Sequence, residues 1–71
     1  MFSERLVSLR KSHNLTQKQL ASKLGLSEVG IQNYEGNRRK PAYDVLIALA
    51  DFFDVSLDYL VGRSDNPKII S

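Results

Sequence analysis

The chain has 71 residues, no cysteine and a formal net charge of +2. A chain of this length forms one domain that buries about 60% of its extended surface, so a deep catalytic cleft is not expected. Without cysteine there is neither a disulfide nor a thiolate metal site, which fits a reducing cytoplasm. The longest apolar run, residues 45–50, is too short to cross a bilayer, and residues 1–5 do not resemble a secretion signal.

The first predicted helix begins at Ser3 and runs to about Ser12. Ser3 is expected to cap it, with Phe2 and Val7 forming a hydrophobic staple and Leu6 facing the core. The second helix is expected to begin near Gln17.

Local signals mark both ends of that second helix. The hydroxyl of Thr16 can cap it while Gln19, three residues later, reaches back to close a capping box. Leu20 and Leu24 recur at helical spacing, and Gly25 can adopt the left-handed conformation that ends a helix. The sequence therefore predicts a short helix, Gln17 to Leu24, followed by a turn.

A third helix is predicted from Glu28 to Glu35. Ser27 supplies its cap, and Ile31 with Tyr34 provides an apolar face that can pack against the preceding helix. Two short helices joined by a glycine turn within about twenty residues have the spacing of a DNA-reading helix-turn-helix.

The remaining predicted helices follow a polar loop, residues 36–40. Pro41 starts a new element, in which the apolar spacing predicts an amphipathic helix that ends near Phe53. Ser56 caps a last short helix, Leu57 to Val61, which Gly62 stops. Residues 63–71 have no periodicity and are interpreted as a frayed end or a linker.

The run from Leu15 to Pro41, LTQKQLASKLGLSEVGIQNYEGNRRKP, followed by VSLDYLVG from Val55 to Gly62, resembles the Cro/CI-type (XRE) family of phage and bacterial transcriptional regulators. Small, glycine and apolar positions fall in register, and the glutamate, the basic cluster and the proline follow at the family's spacing. The family often has Asn-Gly after the glutamate, where this chain has Gly36-Asn37. The resemblance implies an all-α, five-helix, lambda-repressor-like DNA-binding domain over residues 1–62, followed by the 63–71 tail.

Charge is distributed unevenly along the chain. Residues 1–40 contain eight Lys or Arg against three Asp or Glu, a net charge of +5, whereas residues 41–71 contain two against five, a net charge of −3. An asymmetry of this kind orients a domain on a polyanion. Because the basic half contains the helix-turn-helix, the charge favours a functional interpretation over chance.

The exposed face of the third helix holds the candidate base-reading residues. At roughly 100° per residue, an inward Ile31 directs Val29, Gln32 and Asn33 outward. In the major groove, amides can pair with adenine and an apolar tip can contact a thymine methyl group. Glu28 either accepts from cytosine or complements the helix dipole, and the dipole role is preferred.

Phosphate contacts are expected around that face. Gln17 and Ser27, at the starts of the two helices, can donate to phosphates, and by resemblance both positions hold DNA backbone in the family. The basic residues after the third helix are interpreted as a backbone clamp: Arg38, Arg39 and Lys40. Asn37 either contacts phosphate or only forms the turn.

No catalytic or metal-binding constellation is evident in the sequence. His13 is the only histidine, and no acidic or thiol cluster accompanies it, so it is expected to be a solvated loop residue. The serines are accounted for as caps or surface residues because no base lies beside them. The sequence thus predicts a protein that is not an enzyme and needs no cofactor.

The predicted function is sequence-specific binding of double-stranded DNA by a cytoplasmic transcriptional regulator, most simply a repressor that binds a palindromic operator as a homodimer, with no membrane partner. Two alternatives remain open at this point. The fold could serve as a protein-interaction module, such as an antitoxin or adaptor, or the chain could be the DNA-targeting fragment of a longer regulator.

Two tertiary contacts are also predicted. Arg10 and Glu35 each lie about 40° from the apolar centre of their helices, and the family often pairs these positions, so a salt bridge is expected between the first and third helices. Leu57, Leu60 and Val61 offer more apolar surface than so small a core can absorb, which suggests a dimer interface.

Overall fold

Residues 1–68, which the computed structural model describes, form five helices and no strand. The helices are α1 (Phe2–Ser12), α2 (Gln17–Leu24), α3 (Glu28–Glu35), α4 (Tyr43–Phe53) and α5 (Leu57–Leu60). The all-α, five-helix prediction is therefore confirmed. None of the helices in this described part is long and apolar enough to cross a membrane.

The predicted start and end of α2 are both present. The Gln19 N–H donates to Thr16 Oγ1 at 3.0 Å, and the Thr16 N–H donates to Gln19 Oε1 at 2.9 Å, which completes the capping box. Gly25 has φ of +69°, a conformation that a residue without Cβ adopts at no steric cost. The chain turns there and continues into α3.

Helix α1 begins earlier than the sequence predicts. It starts at Phe2, with the Arg5 N–H donating to the Met1 carbonyl at 3.1 Å, so Ser3 lies within the first turn and does not act as the cap. The prediction of a Ser3 cap and a Phe2 staple is wrong because the helix continues one residue beyond Ser3 toward the N-terminus. The Met1 ammonium contacts Glu4 Oε1 at 2.8 Å and lowers the pKa of that carboxyl by hydrogen bonding and attraction.

All five helices contribute side chains to one core. Helix α3 packs against α2 and α1, and α5 packs against α4 and α1. The buried apolar residues are Leu6, Leu20, Ala21, Ile31, Leu49, Ala50, Phe53, Val55 and Leu60.

The burial of α5 corrects one sequence interpretation. Leu60 is fully buried, whereas Leu57 and Val61 are half-buried. Leu60 is therefore a core residue and is not available to a partner, because α5 packs against both α1 and α4. Of the three residues in the predicted dimer interface, only Leu57 and Val61 can contribute to an external apolar surface.

The segment after α5 turns back toward that helix. The Ser56 N–H donates to the Pro67 carbonyl at 3.0 Å, and the Arg63 N–H donates to the Asp58 carbonyl at 2.7 Å. Residues 63–68 are therefore held against the start of α5 and α5 itself by backbone hydrogen bonds. The division into a domain over residues 1–62 and a tail stays a prediction, and residues 69–71 of that tail lie outside the described residues.

His13 is exposed, as predicted, but its ring also contacts the protein. It packs edge-on against Phe53, with ring centroids 5.0 Å apart, and its Nδ1 lies 2.9 Å from the Leu9 carbonyl oxygen. Within residues 1–68, no three His, Cys, Asp or Glu side chains gather as a metal site would require.

The predicted salt bridge between Arg10 and Glu35 is present and largely buried. Arg10 Nε donates to Glu35 Oε2 at 2.6 Å and Nη2 donates to Oε1 at 3.0 Å, with the two side chains 12% and 6% exposed. Arg10 Nη1 also donates to the Leu15 carbonyl at 2.8 Å, and Gln17 Nε2 donates to Glu35 Oε1 at 3.0 Å. The pair thus joins α1, the α1–α2 connection, the start of α2 and the end of α3.

We expect Glu35→Gln to lower the free energy of unfolding by about 3 to 5 kcal/mol, because it leaves the buried Arg10 charge without a counter-charge. Urea unfolding followed by circular dichroism measures the loss. Asp65→Asn is the control. Asp65 is fully exposed, and its Oδ1 lies 3.6 Å from Arg5 Nη2, so this substitution should lower the free energy of unfolding by about 1 kcal/mol or less. Equal losses in the two variants would show that the buried pair does not stabilise the fold.

Candidate nucleic-acid interface

Helix α3 has one buried face and one solvent-facing face. Ile31 is fully buried, whereas Val29 is 62% exposed and Gln32 and Asn33 are half-buried. This burial agrees with the helical wheel deduced from the sequence. The outward face thus combines one apolar tip with two amide side chains.

The polar groups of this face differ in their partners. Within residues 1–68, the Gln32 side chain makes no hydrogen bond, while Asn33 Oδ1 accepts one from Arg38 Nε at 3.2 Å. Glu28 is exposed in the first turn of α3, where a carboxylate complements the positive end of the helix dipole. Gln32 is free to adapt to a ligand, whereas Asn33 is held.

The start of α3 is closed by Ser27. Its Oγ accepts from the Gly30 N–H at 3.0 Å, which leaves the hydroxyl proton available to a ligand. A Cβ on Gly30 would lie only 3.1 Å from that oxygen, so glycine leaves room for the cap. Ser27 can cap the helix and donate a hydrogen bond at the same time.

The start of α2 lies beside the buried ion pair. Gln17, the first residue of α2, donates one amide proton to Glu35 and keeps a second amide proton. Gln17 therefore has a structural role that the sequence does not predict, because a contact between residues 18 positions apart leaves no local signal.

The end of α3 is closed by a left-handed residue. Asn37 has φ of +57°, its N–H donates to the Tyr34 carbonyl at 3.2 Å, and the Arg38 N–H donates to the Asn33 carbonyl at 2.9 Å. This pair of bonds is a Schellman motif, which satisfies the last carbonyls of a helix. Asn37 therefore forms the turn, and its contact with phosphate stays a prediction.

The three basic residues of the predicted clamp differ from one another. Arg38 folds back on α3, where its Nη2 donates to the Gln32 carbonyl at 3.0 Å in addition to the Asn33 contact. Arg39 and Lys40 are exposed and form no ion pair or hydrogen bond in the part of the chain that the structure describes. The sequence does not predict the fold-back of Arg38; the local signal for it is Gly36, whose lack of a side chain makes the space.

We expect Ser27→Ala to lower the free energy of unfolding by about 1 kcal/mol, because the Gly30 N–H loses its cap. Ser22→Ala, at an exposed site within α2, should cause no loss, since alanine favours a helix more than serine does. Thermal and urea unfolding compare the two, and a Ser27→Ala protein as stable as the Ser22→Ala protein would contradict a capping role.

A sequence profile of the helix-turn-helix family matches residues 6–60. The HTH-type transcriptional regulator YobD of Bacillus subtilis, itself uncharacterized, is 45% identical over 67 residues, which cover 94% of this chain and 60% of YobD. A second uncharacterized regulator of that organism, YqaE, is 44% identical over 97% of this chain and 60% of its own length. The chain thus spans about 60% of the length of these two curated relatives.

Two solved structures have the same fold. A transcriptional regulator from Listeria innocua superimposes with a TM-score of 0.82 and 37% identity, over 87% of this chain and 58% of that one. The P22 c2 repressor, crystallised in complex with a synthetic operator, superimposes with a TM-score of 0.79 and 32% identity, over 84% of this chain and 91% of that one.

Proposed function

The chain belongs to the helix-turn-helix family of the Cro/CI (XRE) type, and from this membership we propose that it binds double-stranded DNA sequence-specifically and regulates transcription. The form we propose is a repressor that binds a palindromic operator as a homodimer, in the cytoplasm where the DNA lies, without a cofactor. The observation that carries the proposal is the outward face of α3, which presents Val29, Gln32 and Asn33 while the Arg10–Glu35 pair fixes the end of the helix.

The proposed base contacts come from the middle of α3. An α-helix fits the major groove, where amide side chains hydrogen-bond base edges and apolar groups contact the thymine methyl. Gln32 and Asn33 are the amides, and Val29 is the apolar tip. Glu28 complements the helix dipole at the same end as Ser27.

The proposed phosphate contacts surround that face. They are Gln17 and Ser27 at the helix starts and Asn37, Arg38, Arg39 and Lys40 in the loop after α3. Arg39 and Lys40 form no ion pair or hydrogen bond within residues 1–68, so their charges are available to the DNA phosphates. Residues 1–40, which contain α2 and α3, have a net charge of +5 that favours binding to a polyanion, whereas three of the five acidic residues of the other half lie on α4 and α5.

We expect base-contact and phosphate-contact variants to fail differently. Gln32→Ala should reduce the free energy of binding to the cognate site by about 1 to 3 kcal/mol and relax the preference at one base pair. Arg39→Ala should weaken binding to cognate and random DNA alike. It should also lower the salt slope, the steepness with which the logarithm of the binding constant falls with the logarithm of the salt concentration, by about one. Sequence selection followed by gel shift at two salt concentrations measures both.

The control for the charge is Lys68→Ala. Lys68 is exposed and lies beside α5, so Lys68→Ala removes one positive charge at a site remote from α3 and should leave the salt slope unchanged.

If both Gln32→Ala and Asn33→Ala keep wild-type affinity and base preference in a folded protein, α3 does not read DNA. A protein-interaction role would then replace the proposed function.

The proposed dimer follows from the size of one domain. One short helix reads too few base pairs to compete with the non-specific sites of a genome. The longest dimension of the domain is 31 Å, so two domains side by side can place their α3 helices about one turn of DNA apart, roughly 34 Å. Val61 lines an open surface groove whose apolar part is formed with Met1, Phe2, Pro41 and Leu46, and whose polar part is formed by Asn37, Arg39 and Lys40.

We expect Val61→Lys to weaken dimerisation and cooperative binding to a palindrome, because it places a charge in the apolar part of this groove. Val29→Lys, the same change on the exposed face of α3, should leave dimerisation intact. Sedimentation across micromolar to millimolar protein compares the two. A wild-type protein that stays monomeric and binds a palindrome without cooperativity would contradict the dimer.

A further inference from the structure

We propose that Arg38 is a positioning residue that determines which base Asn33 recognises. Arg38 Nε occupies one lone pair of the Asn33 side-chain oxygen and turns that oxygen toward the end of α3, so the amide N–H donors are the groups left to face the DNA and Asn33 selects guanine over adenine. This inference rests on the proposed DNA-binding function and deepens it.

Two further hydrogen bonds accompany the contact between the Arg38 and Asn33 side chains. Arg38 Nε donates to Asn33 Oδ1 at 3.2 Å, Nη2 donates to the Gln32 carbonyl at 3.0 Å, and the Arg38 backbone N–H donates to the Asn33 carbonyl at 2.9 Å. The left-handed Asn37 turns the chain so that Arg38 returns to α3. Backbone and side chain therefore both direct the guanidinium to the same end of the helix.

Gly36 makes the space that the guanidinium occupies. Its φ of −84° is open to any residue, so the backbone does not require glycine there. A Cβ at this position would lie 2.6 Å from Arg38 Cζ and 2.8 Å from Nη2, which is overlap. The missing side chain is therefore what allows Arg38 to reach Asn33.

The chemistry of a held amide differs from that of a free one. A free asparagine recognises adenine by accepting from N6 and donating to N7 at once. In Asn33 the oxygen is turned toward Arg38, which occupies one of its lone pairs, and because the amide is planar the NH₂ group diverges from Arg38. Guanine offers two acceptors in the major groove, N7 and O6, and no donor, so it matches a side chain that presents donors only.

Sequence selection with wild type, Asn33→Ala, Arg38→Ala, Gly36→Ala and Arg39→Ala tests the proposal. The base pair read by Asn33 is the one whose preference Asn33→Ala abolishes, and wild type should select guanine there. Arg38→Ala frees the amide, and Gly36→Ala displaces the guanidinium without removing it. Both should shift the ratio of adenine to guanine at that base pair by about tenfold, the value of one bidentate contact, and leave other positions unchanged.

The free proteins provide a measurement that does not depend on DNA. In NMR spectra, the chemical shifts of the Asn33 side-chain NH₂ group should change in both Arg38→Ala and Gly36→Ala and should be unchanged in Arg39→Ala. Thermal unfolding confirms that Gly36→Ala folds, as its backbone angles allow.

Four results would overturn the inference. An adenine preference in wild type would show that the amide is not held. If Arg38→Ala weakens binding to all DNA, lowers the salt slope by about one as Arg39→Ala does, and leaves the ratio of adenine to guanine unchanged, Arg38 contacts phosphate without positioning Asn33. A guanine preference that survives in both Arg38→Ala and Gly36→Ala would refute the positioning role alone, whereas wild-type protein with no sequence preference at all would refute the proposed function and this inference with it.

Discussion

The buried ion pair between Arg10 and Glu35 is the interaction on which the placement of α3 depends. Helix α3 has eight residues and only one fully buried side chain, Ile31, so apolar packing alone leaves its rotation weakly defined. Glu35, its last residue, receives hydrogen bonds from Arg10 on α1 and from Gln17 on α2. One carboxylate therefore orients the candidate reading helix relative to both helices that it packs against.

The buried ion pair defines the orientation of α3 more than it adds to the stability of the fold. Removing two charges from water is costly, and apolar side chains of similar volume often stabilise a fold as well or better. Apolar contacts, however, have no preferred direction, whereas the bonds to Glu35 and the bond from Arg10 to the Leu15 carbonyl define angles. Among the described residues, no buried side-chain nitrogen or oxygen lacks a partner, so the cost of burial is compensated.

Features that depend on neighbouring residues could be predicted from the sequence. Thr16 and Ser27 each cap a helix through a backbone group three residues away, so their signal lies within one turn. Ser3 offered a similar signal, but the helix began before it. The burial of Leu60 could not be predicted, because it depends on how α5 meets α1. The return of Arg38 to α3 has a local signal in Gly36, but a single glycine indicates the space beside it and not which side chain fills that space.

The short length of α3 explains why its ends matter to its reading face. A helix leaves four N–H groups and four carbonyls without internal partners at its ends, which in eight residues involves most of the backbone. Ser27 closes one end, and Asn37 with Arg38 closes the other. Because a side chain held before binding loses less conformational freedom on contact, closing the helix at Arg38 also prepares Asn33. The spacing of the sequence places Asn33 on the outer face, and a residue five positions later determines which of its atoms that face presents.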